Sequence, residues 1–154
     1  MIREDRNAAF WTDVYEHPQV KPHVSLGHEL DLAAILDNPA ITPLRAEHGG
    51  FLFFRLDHMG RAFELHTMFT PEGWGREVSL AARAAFAFMF DRGADLIVTQ
   101  EVAGNPRSQP PRSFGFKPAS DFRPSALGVE LRSWVLTRYA WDASPVRQRM
   151  RSCL

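Results

Sequence analysis

Two stretches of this chain hold residues able to do chemistry. Thr70-Pro-Glu-Gly-Trp-Gly-Arg76 places Pro71, Gly73 and Gly75 ahead of a helix-forming run, so its backbone can take conformations closed to other residues and turn amides outward. Amides at Gly73, Trp74, Gly75 and Arg76, gathered at a helix N-terminus, make a site for an anion and above all for a phosphate. Just upstream, Glu64 and His66 alternate with Phe63, Leu65 and Thr67 and so share one face of a strand. Either could take a proton, directly or through water, and histidine ordinarily titrates near neutrality. A lone strand histidine serves as readily for surface hydrogen bonding. Downstream, Asn105-Pro-Arg-Ser108 offers an amide and a hydroxyl, although Asn before Pro is also an ordinary cap and first turn.

The elements that must position these groups read clearly. Ala62 to Phe69 alternates apolar and polar residues as a half-buried strand, and Glu77 to Arg92 follows as a helix with Gly93 at its C-terminal cap. Val78, Ala82, Ala85 and Met89 share one helical face, with Arg76, Ser79 and Arg83 opposite, so the helix is expected to lie across a sheet. Asp95 to Val102 is a β-branched run, expected to be a central strand parallel to the first through the helical crossover. Strand, glycine turn, helix and strand form a phosphate-cradling unit common to several nucleotide-binding families, which leaves a nucleotide-dependent transferase open. No Gly-Lys-Ser/Thr follows the turn, so a Walker loop is absent.

What comes next narrows the choice: Asn105 with Ser108, then Gly115-Phe116, in that order after the turn. Over about residues 50 to 140 the chain resembles the GNAT superfamily of acyl-CoA-dependent N-acyltransferases. The Pro-Glu-Gly-Trp-Gly-Arg stretch corresponds best with Gly75 as the first loop glycine, which puts Glu77 where glycine or alanine is usual. Pro110-Pro111 lie where many members carry the tyrosine that protonates the leaving thiolate. The resemblance implies an α/β (α+β) fold, a mixed, mostly antiparallel sheet of about six or seven strands flanked by helices. It implies acetyl-CoA as cosubstrate, with the amides near Met68 and Phe69 meeting the pantetheine and the thioester carbonyl. Gly73, Trp74, Gly75 and Arg76 would then take the pyrophosphate and Asn105 would touch the cofactor. Glu64 and His66 are the candidate bases, and Ser108 is the remaining hydroxyl for the leaving sulfur. The rival reading is a non-catalytic acyl-CoA-binding or structural protein with the same fold.

The rest of the chain fits one domain of 154 residues, with 45% hydrophobic content to build its core. Residues 1 to 49 read as helices and loop on the acceptor side: a helix from Asn7 to His17, a second from Leu30 to Asp37, and loop from 38 to 49 bordering the acceptor pocket. The string from His17 to Val24 is similar to the front end of small phage-encoded members. Residues 50 to 141 read as sheet and CoA-binding core, with a hairpin turn at His58 to Gly60 and a long closing strand from Val129 to Trp141. Residues 142 to 154 are a basic tail, expected to be loose helix or disordered.

A single cysteine, Cys153, excludes a disulfide framework, and six scattered histidines without paired spacing argue against a metal site. With no apolar leader or span, the expectation is a cytoplasmic protein, in a host's cytoplasm if phage-encoded. Net charge is zero and no basic stripe is present, which argues against nucleic acid. The halves differ, however. Residues 1 to 77 hold seven Lys or Arg against twelve Asp or Glu, and residues 78 to 154 hold eleven against six. The expected partner is a small-molecule or peptide amine, and the aromatic closing strand suggests a homodimer.

Overall fold

The computed structural model describes every residue, Met1–Leu154. Eight strands form one sheet in the order β1-β2-β3-β4-β5-β8-β6, with β7 also on β8. The β1–β2, β2–β3, β5–β8, β6–β8 and β7–β8 ladders are antiparallel, and β4–β5 is parallel as a helical crossover requires. The chain divides into two compact units, Met1–Arg55 with Leu65–Met89, and Leu56–Glu64 with Phe90–Leu154, and the division runs through β4 and through the crossover helix.

The first unit opens with β1 (Arg3–Glu4), α1 (Ala8–Tyr15), α2 (Lys21–Ser25) and α3 (Leu32–Asp37). Asn7 caps α1 by accepting from Phe10 N, and Asp31 caps α3 by accepting from Ala34 N, so both helices start where a short polar side chain can satisfy an orphan amide. Trp11, Val14 and Tyr15 of α1 pack with Leu32 and Leu36 of α3 onto Ile41, Leu52 and Met68. β2 (Ile41–Arg45) pairs along β3 (Gly49–Arg55). Residues 38 to 49, expected as loop because they carry two prolines, thus contain a strand.

Pro43 is tolerated inside β2 because of the edge it faces. Its carbonyl accepts from Asp5 N at 3.1 Å, so the missing N–H lies on the side of the two-residue β1 and takes nothing from the β3 ladder. Next come β4 (Ala62–Phe69) and the crossover helix α4 (Arg76–Asp91), which turns Ala81, Ala82, Ala85, Phe86 and Met89 inward. The poly-apolar character of α4 in sequence is the inner face of a helix laid on a sheet.

In the second unit, β5 (Leu96–Val102) pairs along its whole length with β8 (Glu130–Thr137). Two 3-10 turns, Pro106–Ser108 and Arg112–Phe114, lie between β5 and the short β6 (Lys117–Pro118) and β7 (Arg123–Pro124). The closing strand is shorter than its pattern suggests. Thr137 caps a helix, α5 (Arg138–Ala143), by accepting from Ala140 N, so Arg138 to Trp141 leave the sheet. Trp141 then stacks between Phe90 and Phe114, at 6.0 and 6.1 Å between ring centroids. Ser144 caps the final helix α6 (Pro145–Ser152), which gives the tail an ordered place through buried Val146. No helix is long and apolar enough to cross a membrane.

Candidate functional site

The glycine turn begins at Thr70, whose amide is held by His48 O at 2.9 Å, and closes as a 3-10 turn over Pro71–Gly73. Two of its amides are consumed in making the turn: Gly73 N donates to Thr70 O and Trp74 N to Pro71 O. Gly73 is buried, and a Cβ there would stand 2.8 Å from Phe69 Cδ1 and 3.2 Å from Glu77 Oε2. Gly75 differs. Its φ of +87° is one that only glycine adopts without strain, and a Cβ would meet nothing within 4 Å. The first bond of α4 runs from Ser79 N to Gly75 O, which leaves the amides of Arg76, Glu77 and Val78 ahead of it at the positive end of a sixteen-residue helix. The anion-binding capacity of the turn therefore resides at Gly75 and the first turn of α4.

Glu77, the carboxylate out of place among those amides, points elsewhere. Its Oε1 accepts from His48 N and its Oε2 bonds His48 Nδ1, both at 2.8 Å, and the backbone of Glu47 adds a further bond. Burial pushes the Glu77 carboxyl up, but the hydrogen bonds from His48 and Glu47 outweigh it and hold the group below its ordinary value. Reciprocally, the bond from Glu77 raises His48 above its ordinary value, against its own desolvation. Glu77 thus ties the start of α4 to the β2–β3 turn. Glu47, His48 and Glu77 each bring one potential metal-ligand atom within 4.8 Å of the others, and His48 and Glu77 are hydrogen-bonded to each other. In sequence His48 is invisible among six scattered histidines, and its only signal is that Glu77, at a helix start, needs a partner.

Along β4, Phe63 and Leu65 are buried and Glu64 is half-buried, as alternation requires, but His66 and Thr67 are both exposed and Met68 and Phe69 both buried. The phase has moved by one residue, as a strand does at a bulge. The parallel ladder with β5 covers Ala62, Phe63 and Glu64, opposite Leu96, Ile97 and Val98. Thr70 N faces β3, so the N–H and C=O of Phe69 face the other edge, where the carbonyl accepts from Trp74 Nε1 at 3.0 Å. A Cβ on Gly49 would lie 2.1 Å from Met68 O, so glycine is required for β3 to lie this close to the Met68–Phe69 peptide. His66 sets its ring edge-on to Phe54 with centroids 4.8 Å apart.

After β5, Asn105 Oδ1 accepts from Arg107 N, the ordinary cap of the 3-10 turn. Ser108 Oγ accepts from Val102 N at 2.8 Å and donates to Asn105 O at 2.7 Å. Its single proton is directed into the turn, which makes Ser108 a lock on the chain leaving β5. Near the end of that strand, buried Glu101 faces Arg132 across the ladder and takes both Arg132 Nε and Nη2, with Trp134 Nε1, on the one oxygen Oε2.

No family model matches the sequence, and no curated protein matches it. Among solved structures, a GNAT-family acetyltransferase from Bacillus anthracis superposes with a TM-score of 0.70 at 14% identity, over 88% of this chain and 93% of that one. Spermidine N-acetyltransferase from Vibrio cholerae, solved with CoA and spermine, superposes at 0.71 and 9% identity over 92% of this chain and 96% of that one. The chain has the GNAT acetyltransferase fold. In this chain β4, the glycine turn and the long helix α4 follow one another, and two 3-10 turns follow β5. Of the turn amides, those of Gly73 and Trp74 already have acceptors, whereas the space beside Gly75 is open.

Proposed function

We propose that the protein is an N-acyltransferase that moves an acetyl group from acetyl-CoA to a primary amine by direct attack in a ternary complex. The observation that carries this reading is the open, glycine-capped start of α4 directly after a strand whose last residue, Phe69, turns its amide away from β3. Acetyl-CoA would place its pyrophosphate on the amides from Gly75 into the first turn of α4. Its pantetheine would run along the Met68–Phe69 edge, where the Phe69 amide would donate to the thioester oxygen as negative charge grows on it. A neutral amine then attacks the carbonyl carbon, the C–S bond breaks, and CoA leaves as thiolate. Glu64 or His66 receives the amine's proton. That a neighbour of the same fold is a spermidine N-acetyltransferase supports an amine as acceptor.

The test is release of free thiol from acetyl-CoA against a panel of primary amines, with Glu64→Gln and His66→Gln assayed separately. Loss of the true base lowers kcat by about 10²–10⁴-fold. If both variants keep full turnover, neither side chain is the base. A second reading is favoured by one observation, the engagement of the Ser108 hydroxyl with the backbone carbonyls of Asn105 and Val102, with prolines at 110 and 111. An acyl-CoA-binding protein without chemistry would be stabilised by acetyl-CoA and release thiol with no amine.

A further inference from the structure

An open hollow of about 270 Å³ lies at the end of β5, lined by Glu101, Val102, Gly104, Asn105, Pro106 and Gln109. Its one ionisable group is Glu101, only 8% exposed. The carboxylate is used asymmetrically. Oε2 accepts three hydrogen bonds, from Arg132 Nε at 3.1 Å, Arg132 Nη2 at 2.9 Å and Trp134 Nε1 at 2.7 Å, while Oε1 accepts none from the chain. Oε1 is not among the buried side-chain atoms left without a partner, so it meets solvent, and Glu101 is one of the residues that line the hollow. Arg132 pairs with Glu101 through the opposite oxygen, and no basic side chain lines the hollow, so Oε1 is the one carboxylate acceptor its lining residues offer. At the rim, Asn105 spends its Oδ1 on Arg107 N, and the exposed Gln109 amide completes a polar mouth.

We propose that this hollow seats a primary ammonium group, the head of a small aliphatic amine, on Oε1 of Glu101. An ammonium would give Oε1 a charge-assisted donor in place of water, and its remaining N–H groups would stay hydrated at the open side. As the seat of the acceptor it rests on the acetyltransferase reading; as a cation site it stands on the hollow alone.

The experiment titrates ¹⁵N-labelled protein, without acetyl-CoA, with 1,3-diaminopropane at neutral pH. Saturable shifts of the Gly104, Asn105 and Gln109 amides are expected, with none from the uncharged 1,3-propanediol. Glu101→Gln keeps an oxygen for Arg132 and Trp134 but turns an NH₂ to the hollow, and it weakens binding at least tenfold. Should that variant fail to fold, the exposed rim carries the test: Gln109→Glu tightens binding severalfold and Gln109→Arg weakens it severalfold. Equal binding of the diol, shifts confined to other residues, or affinity indifferent to both Gln109 charges overturns the proposal. Failure of acetyl transfer with this titration intact removes the enzymatic reading and leaves the cation site standing. Acetyl transfer to amines with no such titration does the reverse.

Discussion

Glu77 carries the most information of any residue in the chain. A carboxylate in the first turn of α4 looks hostile to a phosphate, and the structure resolves the conflict by turning it back onto His48 and Glu47, where it joins the helix to the hairpin turn. The bond has a pH signature. Glu77's folded pKa lies below its ordinary 4.5, so its contribution is present above 4.5 and is lost as pH falls through the folded value. His48's folded pKa lies above its ordinary 6.5, so its contribution is complete below 6.5 and is lost as pH rises through the folded value. The difference in urea midpoint between the native protein and Glu77→Gln should therefore be greatest between pH 4.5 and 6.5 and shrink on both sides. A pH-independent difference would show that the ion pair contributes nothing. Ser108 is the opposite case, a residue with chemical potential that the fold has spent. Ser108→Ala should cost about 1–3 kcal/mol by stranding Val102 N. It should lower kcat far less than the roughly 10²–10⁴-fold expected of a general acid. Ser108 stands out in the sequence because hydroxyls are visible there, and His48 does not because a hydrogen bond spanning 29 residues leaves no local trace.

At the level of elements, the periodic segments are legible in the sequence and the contextual ones are not. β4, α4 and β5 can be read within a residue or so because burial imposes its period on their composition. β2 is hidden by Pro43, whose lost N–H is harmless only because of which neighbour it faces. α5 is hidden because Arg138 to Trp141 continue the alternation of β8, and the break is made by the Thr137 cap and by the stacking of Trp141, a tertiary effect. The glycine turn allows a controlled comparison. Gly75 and Gly93 both have positive φ, +87° and +105°, and a Cβ added at either would meet nothing within 4 Å. Replacing either by alanine should cost about 1–2 kcal/mol of stability from backbone strain alone. Only Gly75→Ala should also raise KM for acetyl-CoA, because only there would the methyl stand between backbone and pyrophosphate. Equal KM values for the two variants would place the cofactor elsewhere.

For the molecule as a whole, the proposed binding of acetyl-CoA must appear as stability, since a ligand that binds only the folded chain shifts the unfolding equilibrium by mass action. At a concentration about one hundred times its Kd, acetyl-CoA should add about 2.7 kcal/mol, which for a chain of this length raises Tm by about 5–10 °C. Comparing ligands divides that effect between elements. ADP offers the α4 terminus a diphosphate but has no pantetheine to lay along the Met68–Phe69 edge, so its shift at equal concentration reads the helix start alone. The excess shift with acetyl-CoA reads the strand edge. Gly75→Ala should reduce both shifts, because both ligands place phosphate at the same backbone. If ADP or ATP stabilises as well as acetyl-CoA does, the strand edge is idle and the chain uses its glycine turn for nucleotides. If acetyl-CoA stabilises and ADP scarcely does, the thioester arm carries the affinity, as acyl transfer from that arm requires.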